Sequence, residues 1–113
     1  HHKGLNLISG KVELLDRCKG YLGQKIPNIG WRNLSITSSK GLYKNFNSDS
    51  YFYFIHSYFI NPSEKEIVTS QCLYEGMKIN ASIQKDNIFG VQYHPEKSGT
   101  MGLEVLKSFL MYE

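Results

Sequence analysis

A histidine and a glutamate stand two residues apart in the string GVQYHPEKSG, with a proline between them. A carboxylate that accepts the N–H of one imidazole nitrogen selects the tautomer of the ring and leaves the other nitrogen free as a base. Pro95 fixes its own φ and keeps His94 out of the α region. On an extended segment His94 and Glu96 would point to the same face. The spacing therefore predicts a general base and the carboxylate that orients it.

A histidine and a glutamate also meet by coincidence in surface turns, where they carry no chemistry. The flanking sequence favours the catalytic interpretation, because a β-rich run precedes the pair and a helical pattern follows it. Ligands of α/β proteins gather beyond the carboxyl ends of strands. We therefore expect His94 and Glu96 to lie at such a strand end.

A base and its orienter activate a nucleophile, and the sequence offers no clear one. Serine and cysteine nucleophiles of α/β enzymes usually stand in a tight, glycine-flanked turn between a strand and a helix. Cys18 lies in a charged stretch and Cys72 inside an apparent strand. We interpret both as reduced thiols that take no part in catalysis.

The elements that must position this pair are mostly strands. The pattern predicts six or seven of them, including Lys11–Leu15, a run over residues 51–59 that is apolar on both faces, a run over residues 67–74, and a hairpin that turns at Lys85–Asn87. The run over residues 51–59 fits a strand that is covered on both sides.

A single amphipathic helix is predicted to close the chain and to start near Ser98 or Thr100. Its apolar residues recur at helical spacing, at Leu103, Leu106, Phe109 and Leu110. One helix is few for an ordinary α/β domain. The chain is therefore either a small β-rich domain or the strand-rich part of a larger one.

Composition excludes several classes of protein. The chain has 113 residues, 41% of them hydrophobic, which suffices for one core but not two. Its net charge of +3 comes from scattered basic residues, so we expect no nucleic-acid binding. No apolar run is long enough to span a membrane, and we expect a cytoplasmic protein. His1 and His2 are either native or the remnant of an affinity tag.

Three strings resemble a known family. NIFGVQYHPEKSGTMGLEVLKSFL is similar to the C-terminal signature of the class I glutamine amidotransferases. Together with IPNIGW and YFIHSY, in the same order and approximate spacing, it resembles the glutaminase subunits of imidazole glycerol phosphate synthases. The resemblance implies a flavodoxin-like α/β fold, of which residues 1–113 would be the C-terminal, strand-rich part with its terminal helix.

The resemblance also implies roles for particular residues. His94 matches the general base and Glu96 its orienter in a Cys-His-Glu triad that hydrolyses glutamine, without a metal or other cofactor. Ser57 and Tyr58 match a segment that holds the glutamine, largely through backbone atoms. His56 is interpreted as a packed strand histidine, since no cysteine or carboxylate stands at metal-ligand spacing beside it. The family's nucleophile lies in a Gly-x-Cys-x-Gly elbow that this sequence does not contain.

A partner is implied as well, a synthase subunit with a (βα)₈ barrel that receives the ammonia for histidine biosynthesis. The family docks on it through the stretch that matches Pro27, Ile29, Gly30 and Trp31, and through Lys97. Aromatic anchors are typical of interfaces. Arg32 departs from the family, which usually has asparagine after the tryptophan.

Two alternatives remain open from the sequence. Similar glutaminases supply ammonia for amidotransfer onto bacterial surface sugars, and genomic neighbours would separate the two pathways. Alternatively, the chain is a non-catalytic binding module in which Trp31 and Lys97 hold a partner. A Gly-x-Cys-x-Gly elbow upstream in the gene would argue against the module. The sequence alone predicts that the chain by itself does not hydrolyse glutamine.

Overall fold

The structure, a computed structural model, describes residues 8–39, 41–46 and 50–112. His1 and His2 lie outside the described residues. The described part forms strands and one α-helix in the following order: β1 Gly10–Leu14, β2 Asn28–Ile36, β3 Ser50–His56, β4 Tyr58–Pro62, β5 Val68–Tyr74, β6 Met77–Lys85, β7 Ile88–Val91 and α1 Gly99–Leu110. Short 3₁₀ turns cover Leu15–Arg17, Gly41–Tyr43, Lys65–Ile67 and Pro95–Lys97. The predicted strand-rich architecture with one terminal helix is confirmed.

The strands form two antiparallel sheets. The larger has the order β3-β2-β5-β6-β7, and the smaller pairs β1 with β4. Strands β3 and β7 are therefore the edges of the larger sheet. The predicted hairpin is β6–β7, where Lys85 ends the first strand and Asp86 adopts a positive φ of 55° in the turn.

The prediction of one fully covered strand over residues 51–59 is wrong. The chain breaks at Ser57, and β3 and β4 belong to different sheets. Along β3 burial alternates, so that Phe52 and Phe54 are buried while Tyr51 and Ile55 are exposed. Successive side chains of a strand point to opposite faces, and here both faces carry aromatic or aliphatic residues although only one lies in the core.

The terminal helix begins at Gly99, as predicted, but its buried residues are not those of the apolar stripe that its spacing indicates. Its buried residues are Gly102, Val105 and Ser108. The four apolar residues of the predicted stripe are all exposed: Leu103, Leu106, Phe109 and Leu110. No helix in the described part of the chain combines the length and the apolar character needed to cross a membrane.

The core lies between the larger sheet and the segments packed on it. Its largest fully buried side chains include Tyr43, Phe52 and Phe54. A cluster of hydroxyl groups crosses this core, where the Tyr43 hydroxyl bonds Ser82 Oγ at 2.8 Å and the Tyr93 hydroxyl at 2.7 Å. Buried hydroxyls need such partners. The cluster thus fixes Tyr93, which directly precedes His94.

Candidate active site

His94 and Glu96, called the dyad below, face each other in the structure. The Nδ1 atom of His94 lies 3.3 Å from Oε2 of Glu96. Both side chains are open to solvent, with 38% of His94 and 59% of Glu96 exposed. Within the described residues Nε2 of His94 has no hydrogen-bond partner. This is the arrangement of a base whose second nitrogen is free to exchange a proton with an incoming group.

A turn, rather than an extended segment, brings the two side chains together. His94 is extended, with φ −99° and ψ 98°, as the following proline requires. Pro95 then opens a 3₁₀ turn that contains Glu96 and Lys97. The prediction that the pair meets is consistent with this geometry, but the predicted extended backbone is wrong beyond His94.

Two residues that sequence reasoning missed hold the dyad in place. The N–H of His94 donates to the carbonyl of Tyr53 at 3.0 Å, on edge strand β3. The Ser98 hydroxyl donates to the carbonyl of His94 at 2.6 Å and accepts the N–H of Tyr53 at 3.0 Å. These bonds close a ring that ties the backbone of His94 to the sheet. Ser98 is only 2% exposed, so water does not compete for these bonds.

Gly102 lets the helix lie directly against the dyad turn. A Cβ atom at this position would collide with the carbonyl oxygen of Pro95 and would come within 2.9 Å of Cβ of Ser98. The first turn of α1 therefore supports the dyad turn by close packing. Any larger residue at position 102 would push the two apart.

The electrostatics of the dyad keep Glu96 ionised. The pKa of Glu96 is lowered, first by the hydrogen bond from its own backbone N–H and then by His94 and by the charge of Lys97. Lys97 itself is exposed. An ionised carboxylate beside Nδ1 favours the tautomer that leaves Nε2 as the acceptor.

Ser57 and Tyr58, the residues matched to glutamine binding, form the corner between β3 and β4, called the Ser57 corner below. Its backbone is held on both sides. The Ser57 carbonyl accepts the N–H of Leu15 at 2.9 Å, and the Tyr58 carbonyl lies 2.8 Å from Nδ1 of His56. Tyr58 is 55% exposed, so the corner is accessible from solvent.

His56 is a packed histidine, as the sequence interpretation expects. It is 7% exposed, and burial lowers its pKa, although the hydrogen bond to Tyr58 works in the other direction. Its Nε2 atom lies 3.0 Å from the side-chain nitrogen of Asn28. In the described residues no group of three or more histidine, cysteine or acidic side chains is placed to bind a metal.

Three of the residues matched to the partner interface lie on β2, and Lys97 lies in the dyad turn. Ile29 and Trp31 are 49% and 51% exposed, and Gly30 between them has a φ of 133°, which favours glycine. The ring of Trp31 meets that of Tyr53 edge to face, with 5.8 Å between centroids. Since Tyr53 also holds His94, this exposed surface adjoins the dyad. Pro27, which precedes β2, is half-buried.

Neither cysteine has the properties of a nucleophile. Burial raises the pKa of Cys72 to about 12 and also raises that of Cys18. The nucleophilic form of cysteine is the thiolate. Both thiols are thus protonated and buried, and both are structural.

A family model described as glutamine amidotransferase class-I matches residues 6–112. Curated relatives include proteins named imidazole glycerol phosphate synthase subunit HisH. The one from Chlorobaculum tepidum is 42% identical over 96% of this chain and 52% of its own length. The one from Moorella thermoacetica is 43% identical over 94% and 48%. The chain thus spans about half the length of the curated relatives it matches.

A solved structure shares the fold. It is a protein from Thermoplasma acidophilum assigned to GMP synthase as one of its subunits, with a TM-score of 0.65 over 89% of this chain and 47% of its own. At 15% identity this likeness concerns the fold alone. Here too the chain corresponds to about half of a larger structure.

Proposed function

The chain belongs to the class I glutamine amidotransferase family, and from this premise we propose that it is the C-terminal portion of a cytoplasmic glutaminase subunit that supplies ammonia for histidine biosynthesis. The observation that carries the proposal is the dyad, in which Glu96 faces Nδ1 of His94 at 3.3 Å and Nε2 remains free. The names of the relatives favour histidine biosynthesis over transfer to surface sugars.

His94 moves protons in the proposed reaction. It takes the proton of a cysteine thiol, and the thiolate attacks the side-chain amide carbon of glutamine. The imidazolium then returns that proton to the departing amine, which leaves as ammonia while a thioester forms. In the second half His94 takes a proton from water and the hydroxide attacks the thioester; the imidazolium then gives its proton to the departing thiolate, so that glutamate is released and the thiol and neutral His94 are restored. Glu96 stabilises the imidazolium and fixes its orientation.

The thiol comes, in this proposal, from residues that precede the chain in the same gene product. Cys18 and Cys72 cannot supply it, because both are buried and protonated. The unburied apolar stripe of α1 supports the idea that a further segment packs here: Leu103 is 57% and Leu110 80% exposed. A helix in a complete soluble domain normally buries such a stripe.

The partner is proposed to dock beside the dyad. Ile29 and Trp31 form an exposed apolar surface on β2, and Tyr53 links this surface to His94. A (βα)₈-barrel synthase subunit seated there would receive ammonia close to where it is released. Lys97, in the dyad turn, is proposed to pair with an acidic group of that subunit.

Glutamine hydrolysis by the longer gene product tests the proposal. We expect ammonia release from glutamine that rises when the barrel subunit is added. The chain of 113 residues alone should release none. A longer product that binds the barrel subunit but never hydrolyses glutamine would instead support the non-catalytic module.

A further inference from the structure

The buried side of β2 and β3 holds a polar network whose hydrogen bonds have a defined direction. A carbonyl oxygen only accepts, so Nδ1 of His56 carries the proton in its 2.8 Å contact with the Tyr58 carbonyl. An amide nitrogen only donates, so Nε2 of His56 accepts from Nδ2 of Asn28 at 3.0 Å. The ring is therefore the neutral Nδ1–H tautomer.

Arg32 decides which end of the Asn28 amide faces His56. The guanidinium has only donors, and its Nε lies 2.7 Å from Oδ1 of Asn28. This leaves Nδ2 for His56. Arg32 is itself fixed by a bond from Nη2 to the Ile29 carbonyl at 2.9 Å and by its position 4.5 Å above the ring of Tyr74. Asn28 is fully buried and cannot exchange these partners for water.

The surroundings of His56 oppose a second proton on its ring. The Phe54 ring lies 5.6 Å away on β3. On β5, the Cys72 thiol accepts a second bond from Asn28 and stays protonated, because burial raises its pKa to about 12. The guanidinium of Arg32, which bonds Asn28, is the cation of this network, and it lies above the ring of Tyr74. An Nε2–H would face the amide donors of Asn28 and that guanidinium.

We propose that Arg32 and Asn28 are positioning residues, which hold His56 as the neutral Nδ1–H tautomer and thereby fix the Tyr58 carbonyl at the Ser57 corner. We call Arg32, Asn28 and His56 the relay. It joins β2, whose exposed side carries Trp31, to the corner at the end of β3. The consequence for glutamine rests on the proposed function, whereas the tautomer does not.

Nitrogen-15 NMR of the histidines in the longer gene product tests the relay, because the shifts of the ring nitrogens report which one carries the proton. We expect the proton of His56 on Nδ1 in the wild type. In Arg32→Met, Asn28 is free to turn its oxygen toward Nε2, so the titration midpoint of His56 should rise by about one pH unit. The exposed Arg17 provides the matched control, and Arg17→Met should leave His56 unchanged.

The relay is overturned if the wild-type ring carries its proton on Nε2, or if Arg32→Met and the wild type titrate alike. Should Arg32→Met fail to fold, Arg32→Lys replaces it. Lysine still offers a donor to Asn28 but loses the planar fork, so a smaller shift in the same direction is expected.

Kinetics of the longer gene product test the consequence for the substrate. Arg32→Met should raise KM for glutamine about three- to tenfold and change kcat less, because the Ser57 corner binds the substrate rather than the reacting atoms. An unchanged KM together with an altered His56 titration would show that the relay does not position glutamine. A wild-type product without glutaminase activity would overturn the proposed function, while the NMR comparison would still decide the relay.

Discussion

Two histidines, one at the end of strand β3 and one bonded to its edge, show how one residue type receives two roles. His94 is 38% exposed, with one ring nitrogen at a carboxylate and the other free. His56 is 7% exposed, with both ring nitrogens bonded to neutral groups. The first can exchange a proton during a reaction, whereas the second loses its hydrogen bond from Asn28 if it gains a second proton.

The difference lies in what fixes each imidazole. His94 has a firmly held backbone, tied to Tyr53 and Ser98, and a side chain restrained only by Glu96. His56 is fixed through its ring. A site for acid–base chemistry needs a fixed backbone and a lightly restrained ring, since the ring must accept and return a proton while its position is kept. A positioning residue needs a ring that is fixed by its own hydrogen bonds.

Removal of His94 should have the largest effect on activity. In the longer gene product His94→Ala should lower glutamine turnover by about 10²- to 10⁴-fold, because the proposed general base is lost. Binding of glutamine, measured by calorimetry, should stay within about twofold, since no binding contact is assigned to this ring. The exposed Lys107 of α1 is a suitable control, and Lys107→Ala should keep full turnover. Near-wild-type turnover in His94→Ala would show that His94 is not the general base.

Trp31→Ala should weaken binding of the barrel subunit by about 2 kcal/mol, because aromatic anchors at the centre of an interface carry much of its binding energy. Titration calorimetry of the longer product with that subunit gives the affinity. Leu73 is similarly exposed, at 49%, on β5 rather than on the surface beside the dyad, and Leu73→Ala is the control. Equal affinities for Trp31→Ala and the wild type would place the partner elsewhere.

His56→Ala should destabilise the longer gene product by about 1–3 kcal/mol, because the buried amide of Asn28 and the Tyr58 carbonyl lose a partner. His94→Ala should change the free energy of unfolding by no more than about 0.5 kcal/mol, as is usual for exposed sites. Urea unfolding measures both. Similar losses for the two variants would mean that the two histidines do not differ in the way their exposure indicates.

The smallest effect concerns pH. Because the pKa of His56 is lowered in the folded chain, the unfolded chain takes up its proton first as pH falls through about 6.5. The contribution of His56 is complete above that value and is lost as pH falls toward the folded pKa, by at most about 1.4 kcal/mol per pH unit. Urea midpoints across this range should fall in the wild type and stay flatter in His56→Gln. Identical slopes would contradict a buried neutral ring.

The local part of the site could be predicted from the sequence. His94, Pro95 and Glu96 are close along the chain, and the strand before them and the helix after them follow from short-range patterns. The distant supports could not. Tyr53 and Ser98 are separated by 45 residues, and no periodicity indicates that an edge strand will bond a serine at a helix start. For the support of the dyad, the sequence signals are limited to Pro95 and to Ser98, the serine at the start of the helix.

The errors in the fold have the same origin. Every residue of the run 51–59 suits a strand, and the break at Ser57 arises because Tyr58 pairs with Leu14 in a second sheet. For α1 the apolar spacing predicts a helix correctly but cannot tell which face packs. Gly102 allows the closest approach to the dyad turn, and Val105 and Ser108 are buried with it, whereas the larger apolar residues stay exposed.

A crystal structure of the longer gene product would show directly whether His94 serves a cysteine. We predict a cysteine from a Gly-x-Cys-x-Gly elbow with its Sγ within hydrogen-bond reach, about 3–4 Å, of Nε2 of His94. Glu96 should remain at Nδ1. If Nε2 of His94 faces no cysteine, or if apolar groups of another segment cover the dyad, His94 is not the base of a cysteine nucleophile.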